Sequence, residues 1–485
     1  MSISNVGSIV LQIVVFVTTL VNFQSALAHV EPVALIGLYI ISRLFARGPD
    51  DFCCYQWLHN ASRGTLPLGT LPLESGRLHE RRVLNSNNQA APTPASLSKM
   101  LSNAQKQGHS TKVGLRDRIC CHQWNWFTMT MATGGVSNVL HTLPYDAKWL
   151  HYIGLVFMMI NICFFLGNCA LAVMRFSFSP GAFIHSFTDQ MECLFIPAVV
   201  VSAGIILINV CEYGIPNIGP WLQRVVEVFF WIYITVSVTA SCGMYLILWS
   251  TQIFPIHTMT PVWVFPAYPL LLAAPFATNL ITGVTHQESA IVIHRLAISL
   301  CALAVQGTGF LISFMVCAAF LYRLMTQKLP QDMQRPGVFI SIGPAGFTCA
   351  GIVVLGSQVD IILPDAMDGR IYAIWSLRVM SIVIGLWLWG LSKWFFIVSV
   401  GSLHKYLRKE HTMPFQMTWW SFVFPNTALV TATSALAKAF DNTGLKIYSC
   451  VMAAILILVW GLVLIRMMKA LWRHELLWPK ELESD

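Results

Sequence analysis

From about residue 120 onward the chain is a succession of ten apolar segments, each long enough to cross a bilayer as a helix. Hydrocarbon offers no partner to a backbone amide or carbonyl, so a spanning segment must pair these groups as an α-helix or in a closed barrel. Barrel strands need only about ten residues and a spanning helix about 20, and these segments fit the helix. The predicted boundaries are 123–142, 149–174, 189–211, 222–249, 260–282, 289–323, 336–357, 371–398, 415–437 and 447–472. Composition agrees. The 485 residues are 56% hydrophobic and 11% charged, with mean hydropathy +0.63, whereas soluble domains carry roughly 25% charged residues. The predicted class is an all-α polytopic membrane protein.

Basic residues sort to one side of this arrangement. Lys112, Arg116 and Arg118 precede the first segment, and Arg175 follows the second. Arg323, Lys328 and Arg335 lie between the sixth and seventh, and Lys405, Arg408 and Lys409 between the eighth and ninth. Arg466, Lys469 and Arg473 close the tenth, while the alternate loops hold little beyond Lys148, Arg370 and Lys446. Lys and Arg accumulate in cytoplasmic loops, so both ends of the core are predicted to be cytoplasmic. The net charge of +8 reads as a topology signal rather than a nucleic-acid surface. Thirteen cysteines are scattered, mostly through apolar runs, with no metal-ligand spacing and no disulfide framework. No metal and no cofactor is expected.

Residues 1–48 form an apolar N-terminal extension, and 49–119 read as a polar, disordered linker. Residues 8–28 resemble a secretory signal ending in Ala26-Leu27-Ala28, without the basic start such signals carry. A signal, an extra span, and a true start at Met100 all stay open. Asn60-Ala61-Ser62 is a glycosylation sequon only if this stretch reaches a lumen. Residues 120–474 are the predicted ten-helix unit, followed by a polar tail at 475–485.

The odd-numbered segments share a feature. Each carries a helix breaker near its middle: Gly134-Gly135, then Pro197, then Pro266, Pro269 and Pro275, then Pro344, then Pro425. The even segments have no central proline and are rich in Phe, Leu, Ile, Val and Trp. A breaker frees backbone groups, which is tolerable at membrane depth only where protein or a watery cavity satisfies them. The odd helices are therefore predicted to line a central pathway, with the even helices outside, in five helical hairpins around an axis. The competing explanation is close packing, for which membrane helices also use glycine and proline. The first segment adds Thr133, Ser137 and Asn138, which either face the pathway or hydrogen-bond neighbouring helices.

Several phrases are recognisable: TMTMATGGVSNVLHTLPY from 128, TPVWVFPAYPLLLAAPFA from 260, RPGVFISIGPAGFT from 335 and MTWWSFVFPNTALVTAT from 417. Together with shorter stretches they make residues 112–478 similar to the fungal malic acid transport proteins. Those belong to the tellurite-resistance/dicarboxylate transporter family, which also holds plant slow anion channels and fungal sulfite efflux pumps. The resemblance implies ten helices in five hairpins around an anion pathway. It also implies a homotrimer, and a pore-plugging phenylalanine on the ninth helix. The matching residue is Phe424, with Phe422 as the fallback if the register shifts. Thr133, Gly134, Gly135, Ser137, Pro197, Pro266, Pro269, Pro344, Phe347 and Pro425 are the expected pore-lining residues and helix breaks.

The function implied is transport of a C4-dicarboxylate, chiefly malate, across the plasma membrane. Conduction favours weak, staged binding over a buried arginine. Half-helix N-termini, the hydroxyls of Thr133, Ser137, Ser341 and Thr348, and Lys438 at the end of the ninth segment are candidate donors. Glu192, Glu227, Arg295, Arg378 and Lys393 lie in or near spans, with Glu227 and Arg295 a candidate pair. Glu192, His141 and His286 are the candidate proton carriers. Sulfite efflux, or an anion channel of the same fold, is the alternative function. A membrane enzyme would call for clustered His or acidic residues in the spans, and an ATP-driven pump for a P-loop; neither pattern is present.

Overall fold

In the computed structural model the described residues are 114–145, 147–285, 293–408 and 413–479. The readings placed on residues 1–113 and on His286 lie outside them. Ten principal α-helices occur among the described residues: α1 Phe127–Thr142, α2 Lys148–Phe178, α3 Ala198–Asn209, α4 Pro220–Thr251, α5 Ala273–Thr285, α6 Arg295–Thr326, α7 Ile342–Ser357, α8 Arg370–Ser402, α9 Phe424–Ala439 and α10 Thr443–Trp472. The described end of the expected disordered linker is ordered. Leu115–Cys120 is a short helix, begun by the Asp117 carboxylate accepting the Gly114 N–H and held by Arg116 donating to Phe178 O. The start of the expected polar tail also docks, with Leu476 and Leu477 packed on the core and Arg118 over the Trp478 ring.

The even helices are continuous, 31, 32, 32, 33 and 30 residues long. The odd ones are half that length, and each is preceded by a 3-10 stretch: Trp124–Trp126, Cys193–Phe195, Pro261–Leu272, Asp332–Ser341 and Met417–Phe422. This locates the breakers. Pro197 caps α3, Pro275 and Pro344 lie in the first turns of α5 and α7, and Pro425 in that of α9. Pro266 and Pro269 sit inside a 3-10 stretch. Proline fits a first turn because the amide it lacks has no intrahelical partner there. The prolines therefore mark a change of helix type at the start of α3, α5, α7 and α9, not a mid-helix break. Gly134-Gly135 departs from the expectation, since α1 runs through it uninterrupted. A Cβ at Gly134 would lie 2.4 Å from Asn161 Nδ2 and from Ile205 Cγ2, and one at Gly135 3.0 Å from the Thr427 side chain. The pair lets α2, α3 and α9 approach α1.

Each odd helix packs on the even helix that follows it, and the odd helices pack on one another in the order α1, α3, α5, α7, α9 and back to α1. The result is an inner ring of half-helices in five hairpins. Buried shares of the hydropathic windows are 61%, 89% and 83% in the three inner rods that include α3, α5 and α7. In the even helices they are 28%, 39%, 33%, 17% and 22%. The outer helices show solvent-facing Trp149, Leu166, Trp387, Ile397 and Leu458, the surface a bilayer covers. Among the described residues eight rods are long and apolar enough to cross a membrane; α1 and α9, 16 residues each, fall short of that length as α-helices.

Backbone groups released at the junctions are caught by side chains. Tyr233 of α4 donates to Pro269 O (2.7 Å), Tyr268 to Ile340 O (2.5 Å), and Ser392 of α8 to Ile342 O (3.0 Å). Gln306 of α6 accepts the Ala274 N–H (3.1 Å) and donates to Thr348 Oγ1 (2.9 Å). Protein side chains satisfy the broken backbone here, as a low-dielectric site demands.

Candidate functional site

All five odd helices contribute to one cavity of about 280 Å³. Its walls follow helical spacing: Phe347, Ala350, Gly351 and Val354 along α7, and Thr431, Ala435 and Lys438 along α9. Asn138, His141 and Thr142 come from α1, and Thr278, Asn279 and Thr282 from α5. Most of these polar residues sit toward the C-terminal ends of their helices, so polarity gathers at one rim. Toward the 3-10 ends the space shrinks to a void of about 10 Å³ among Thr128, Met131, Phe265, Tyr268, Ile340 and Trp420. That is room for about one water.

Phe424 and Phe347 pack between the two spaces, one on each side. Phe424 lines the small void, is 3% exposed, and its ring centroid is 5.3 Å from Phe347 and 5.9 Å from Tyr268. Phe347 in turn lines the large cavity. Phe422, the fallback position, packs edge-on against Phe339 at 5.0 Å and lines neither space. Among the expected lining residues, Phe347, Phe424 and Pro425 therefore border a cavity, and Pro275, one of the breakers, does too. Pro197, Pro266, Pro269, Pro344, Gly134 and Gly135 sit in the surrounding packing.

The hydroxyls expected in the pathway are turned elsewhere. Thr133 donates to Met129 O and accepts from Trp460 Nε1 of α10 at 3.1 Å. Ser137 donates to Gly154 O of α2 at 2.8 Å. Ser341 bonds Val338 O, and Thr348 bonds Pro344 O while accepting from Gln306. All four are buried; Thr133, Ser137 and Thr348 take partners on other helices, and Ser341 bonds within its own 3-10 turn. Of the polar residues singled out in the first segment, Asn138 lines the cavity. Amides at the junctions are not aimed at the path either, because the Ile196, Ala273, Ile342 and Val423 N–H groups bond back into the preceding 3-10 turns.

The ionisable candidates are tied as well. Glu192 forms a buried bidentate pair with Arg175, its Oε2 accepting from Nη2 at 3.0 Å. Glu227 pairs with Arg224 at 3.1 Å, whereas Arg295 donates to Ile361 O at 3.5 Å, so the expected Glu227–Arg295 pair does not form. Arg378 lies 3.5 Å from Asp360, and Lys393 sits 4.1 Å over the Tyr448 ring. His141 Nδ1 lies 3.7 Å from the carboxylate of Glu212, an acid that sequence reasoning missed. The predicted third segment stopped at residue 211. The rod continues through a single π-turn, Val210–Gly214, to Ile218, and the signal available was an acid directly abutting an apolar run.

An inner ring of half-helices around a cavity, sealed by aromatic side chains and jacketed by lipid-facing helices, defines a multi-pass membrane transporter. The chain belongs to the voltage-dependent anion channel family, which matches residues 122–468, and is an anion transporter of that family. It is 26% identical over 376 residues to the malic acid transport protein of Schizosaccharomyces pombe, covering 76% of this chain and 82% of that one. It is 24% identical over 351 residues to the sulfite efflux pump of Arthroderma otae, covering 70% of this chain and 88% of the relative. Family and relatives are transporters or channels, not enzymes.

Proposed function

We propose that the chain carries C4-dicarboxylates, chiefly malate, across the plasma membrane along the axis of the odd helices, with Phe424 as the gate. The observation that carries this reading is the Phe424 ring, which walls a void of about 10 Å³ and packs on Phe347, a wall of the cavity of about 280 Å³. A narrow apolar constriction of this kind excludes water and ions until its rings move. The larger cavity is near the lower limit of the roughly 300–1,000 Å³ of small-molecule sites. Its amide, hydroxyl and ammonium groups suit a hydroxylated carboxylate. The relative named for malic acid supports that substrate, and the relative named for sulfite supports the second reading, sulfite efflux.

The transport unit in this reading is residues 120–474, with ten spans. The 16 residues of α9 rise about 24 Å, and the 3-10 turns before it add about 12 Å. A hydrocarbon core is about 30 Å thick. Arg116 on Phe178 O, Arg323 on His257 O and Arg335 on Ser402 O gather at one end of the bundle, which we assign to the cytoplasm. The resemblance also leads us to expect a homotrimer, checked by crosslinking in the membrane.

Labelled malate uptake by transporter-deficient yeast tests the reading, with the unaltered chain and with Phe424→Ala. Uptake that the substitution raises several-fold supports substrate and gate together. Cells that gain sulfite resistance without taking up malate move the assignment to sulfite efflux. Flux unchanged by Phe424→Ala removes the gate.

A further inference from the structure

A lysine stands behind the cavity wall. Lys393 lies well inside α8, half-buried in the groove between α8 and α10. It donates to the Tyr448 hydroxyl and to Met452 Sδ (3.4 Å). Its ammonium is 4.1 Å from the Tyr448 ring centroid and 5.4 Å from that of Trp389. All of these partners are neutral. Arg175, Arg224 and Arg378 each face a carboxylate, whereas among the described residues no carboxylate pairs with Lys393. An ionisable side chain inside a membrane helix is costly and marks a functional site by default. The same contacts tie the ammonium to the inner ring. Met452 Sδ also accepts from Thr433 Oγ1 of α9, at 3.9 Å. Trp389, one turn before Lys393 on α8, donates to that same hydroxyl at 3.0 Å. Thr433 is buried, and Thr431 and Ala435 on either side of it in the chain line the cavity of about 280 Å³. A layer of uncharged side chains thus separates the ammonium from the space that an anion would enter.

We propose that Lys393 is a counter-charge set behind the pathway, which draws anions into the cavity without touching them and favours dianions over monoanions. The inference rests on anion transport and not on the choice of malate. Charges separated by protein interact more strongly than charges separated by water, and salt screens them less. A cation deep in the cavity would hold a carboxylate by direct, charge-assisted hydrogen bonds, and conduction needs binding weak enough for the ion to leave. Behind the wall, the ammonium stabilises an anion in proportion to its charge and makes no bond that must break on exit. Tyr448 and Met452 hold it in place, and the faces of Tyr448 and Trp389 offset part of its lost hydration.

The test is flux into proteoliposomes holding the full chain at pH 7.5, with nitrate as the monoanion and malate and sulfate as the dianions. An anion that flows gives its KM, and one that only blocks gives its inhibition constant. Lys393→Met should weaken nitrate about threefold and each dianion about tenfold, because the Coulomb energy doubles with the charge. Lys393→Arg should restore both. Lys393→Gln, which keeps a donor for Tyr448, should match Lys393→Met and decides the matter if that variant fails to fold. Equal weakening of nitrate and the dianions marks a packing role and overturns the counter-charge, as do wild-type constants in Lys393→Met. A charge-graded loss seen with nitrate and sulfate, but no response to malate, overturns only the dicarboxylate reading. Malate flux without the charge-graded loss overturns only the counter-charge.

Discussion

The rod through α3 and the helix α10 have the same mean hydropathy, 2.5, yet 61% of one window is buried and 22% of the other. The two rings of this protein are thus nearly indistinguishable by oiliness and opposite in environment. Lipid is as apolar as a leucine core, so hydropathy decides whether a segment enters the membrane and says nothing about what it faces there. Shape and polarity decide that. The inner ring has glycines where a Cβ would strike a neighbour and polar groups that are bonded. The outer ring has close glycines where it meets the inner one, at Gly154, Gly309 and Gly385, and glycines in open space elsewhere, as at Gly167, Gly243, Gly390 and Gly461.

The comparison can be broken by substitutions that match a buried position with an exposed one. The largest effect is expected where charge is buried. Arg175→Ala strips the partner from Glu192 and should cost about 3–5 kcal/mol, whereas Arg473→Ala, in an exposed pair with Glu475, should cost under about 1 kcal/mol. Thermal unfolding in detergent reads both, and similar losses would deny the contrast. Next comes crowding. A Cβ at Gly346 would lie 2.9 Å from the Ala428 backbone, while one at Gly390 meets nothing within 4 Å. Gly346→Leu should destabilise by about 1–3 kcal/mol and Gly390→Leu hardly at all, seen as monodisperse yield on size exclusion. Gln306→Leu leaves the Ala274 amide unpaired at a junction and should cost about 1–3 kcal/mol. Thr308→Val, two residues away on the exposed face of α6, should stay within about 0.5 kcal/mol. If Thr308→Val proves as damaging as Gln306→Leu, the outer face is not facing lipid.

The alternation of broken and unbroken segments was legible in the sequence, because proline has few places to sit in a helix. The level of the break was not. Pro344 and Pro425 announce a discontinuity, but nothing local says that 3-10 turns precede them. Gly134-Gly135 was misread for a related reason: glycine loosens a helix and also lets helices touch, and only the neighbours Asn161, Ile205 and Thr427 show which. Thr133 and Ser137 carry the same ambiguity, resolved by Trp460 and Gly154 from other helices. Phe424 was reached through resemblance, since a phenylalanine in an apolar run has no sequence mark of its own. Glu212 escaped because hydropathy ends a segment at the first acid, whereas a π-turn carries this rod past it.

The inner ring closes α9 onto α1, and those contacts join residues 289 and 292 positions apart, Thr128 with Met417 and Ser434 with Thr142. A ribosome making this chain therefore delivers four hairpins before the wall of the ring can shut. Through most of synthesis, the face of α1 that carries Gly135 waits in the membrane without its mate. Chains halted after α8 should remain open arcs, exposing that seam to the membrane's quality-control proteases. Surveillance of this protein is then concentrated on its last hairpin.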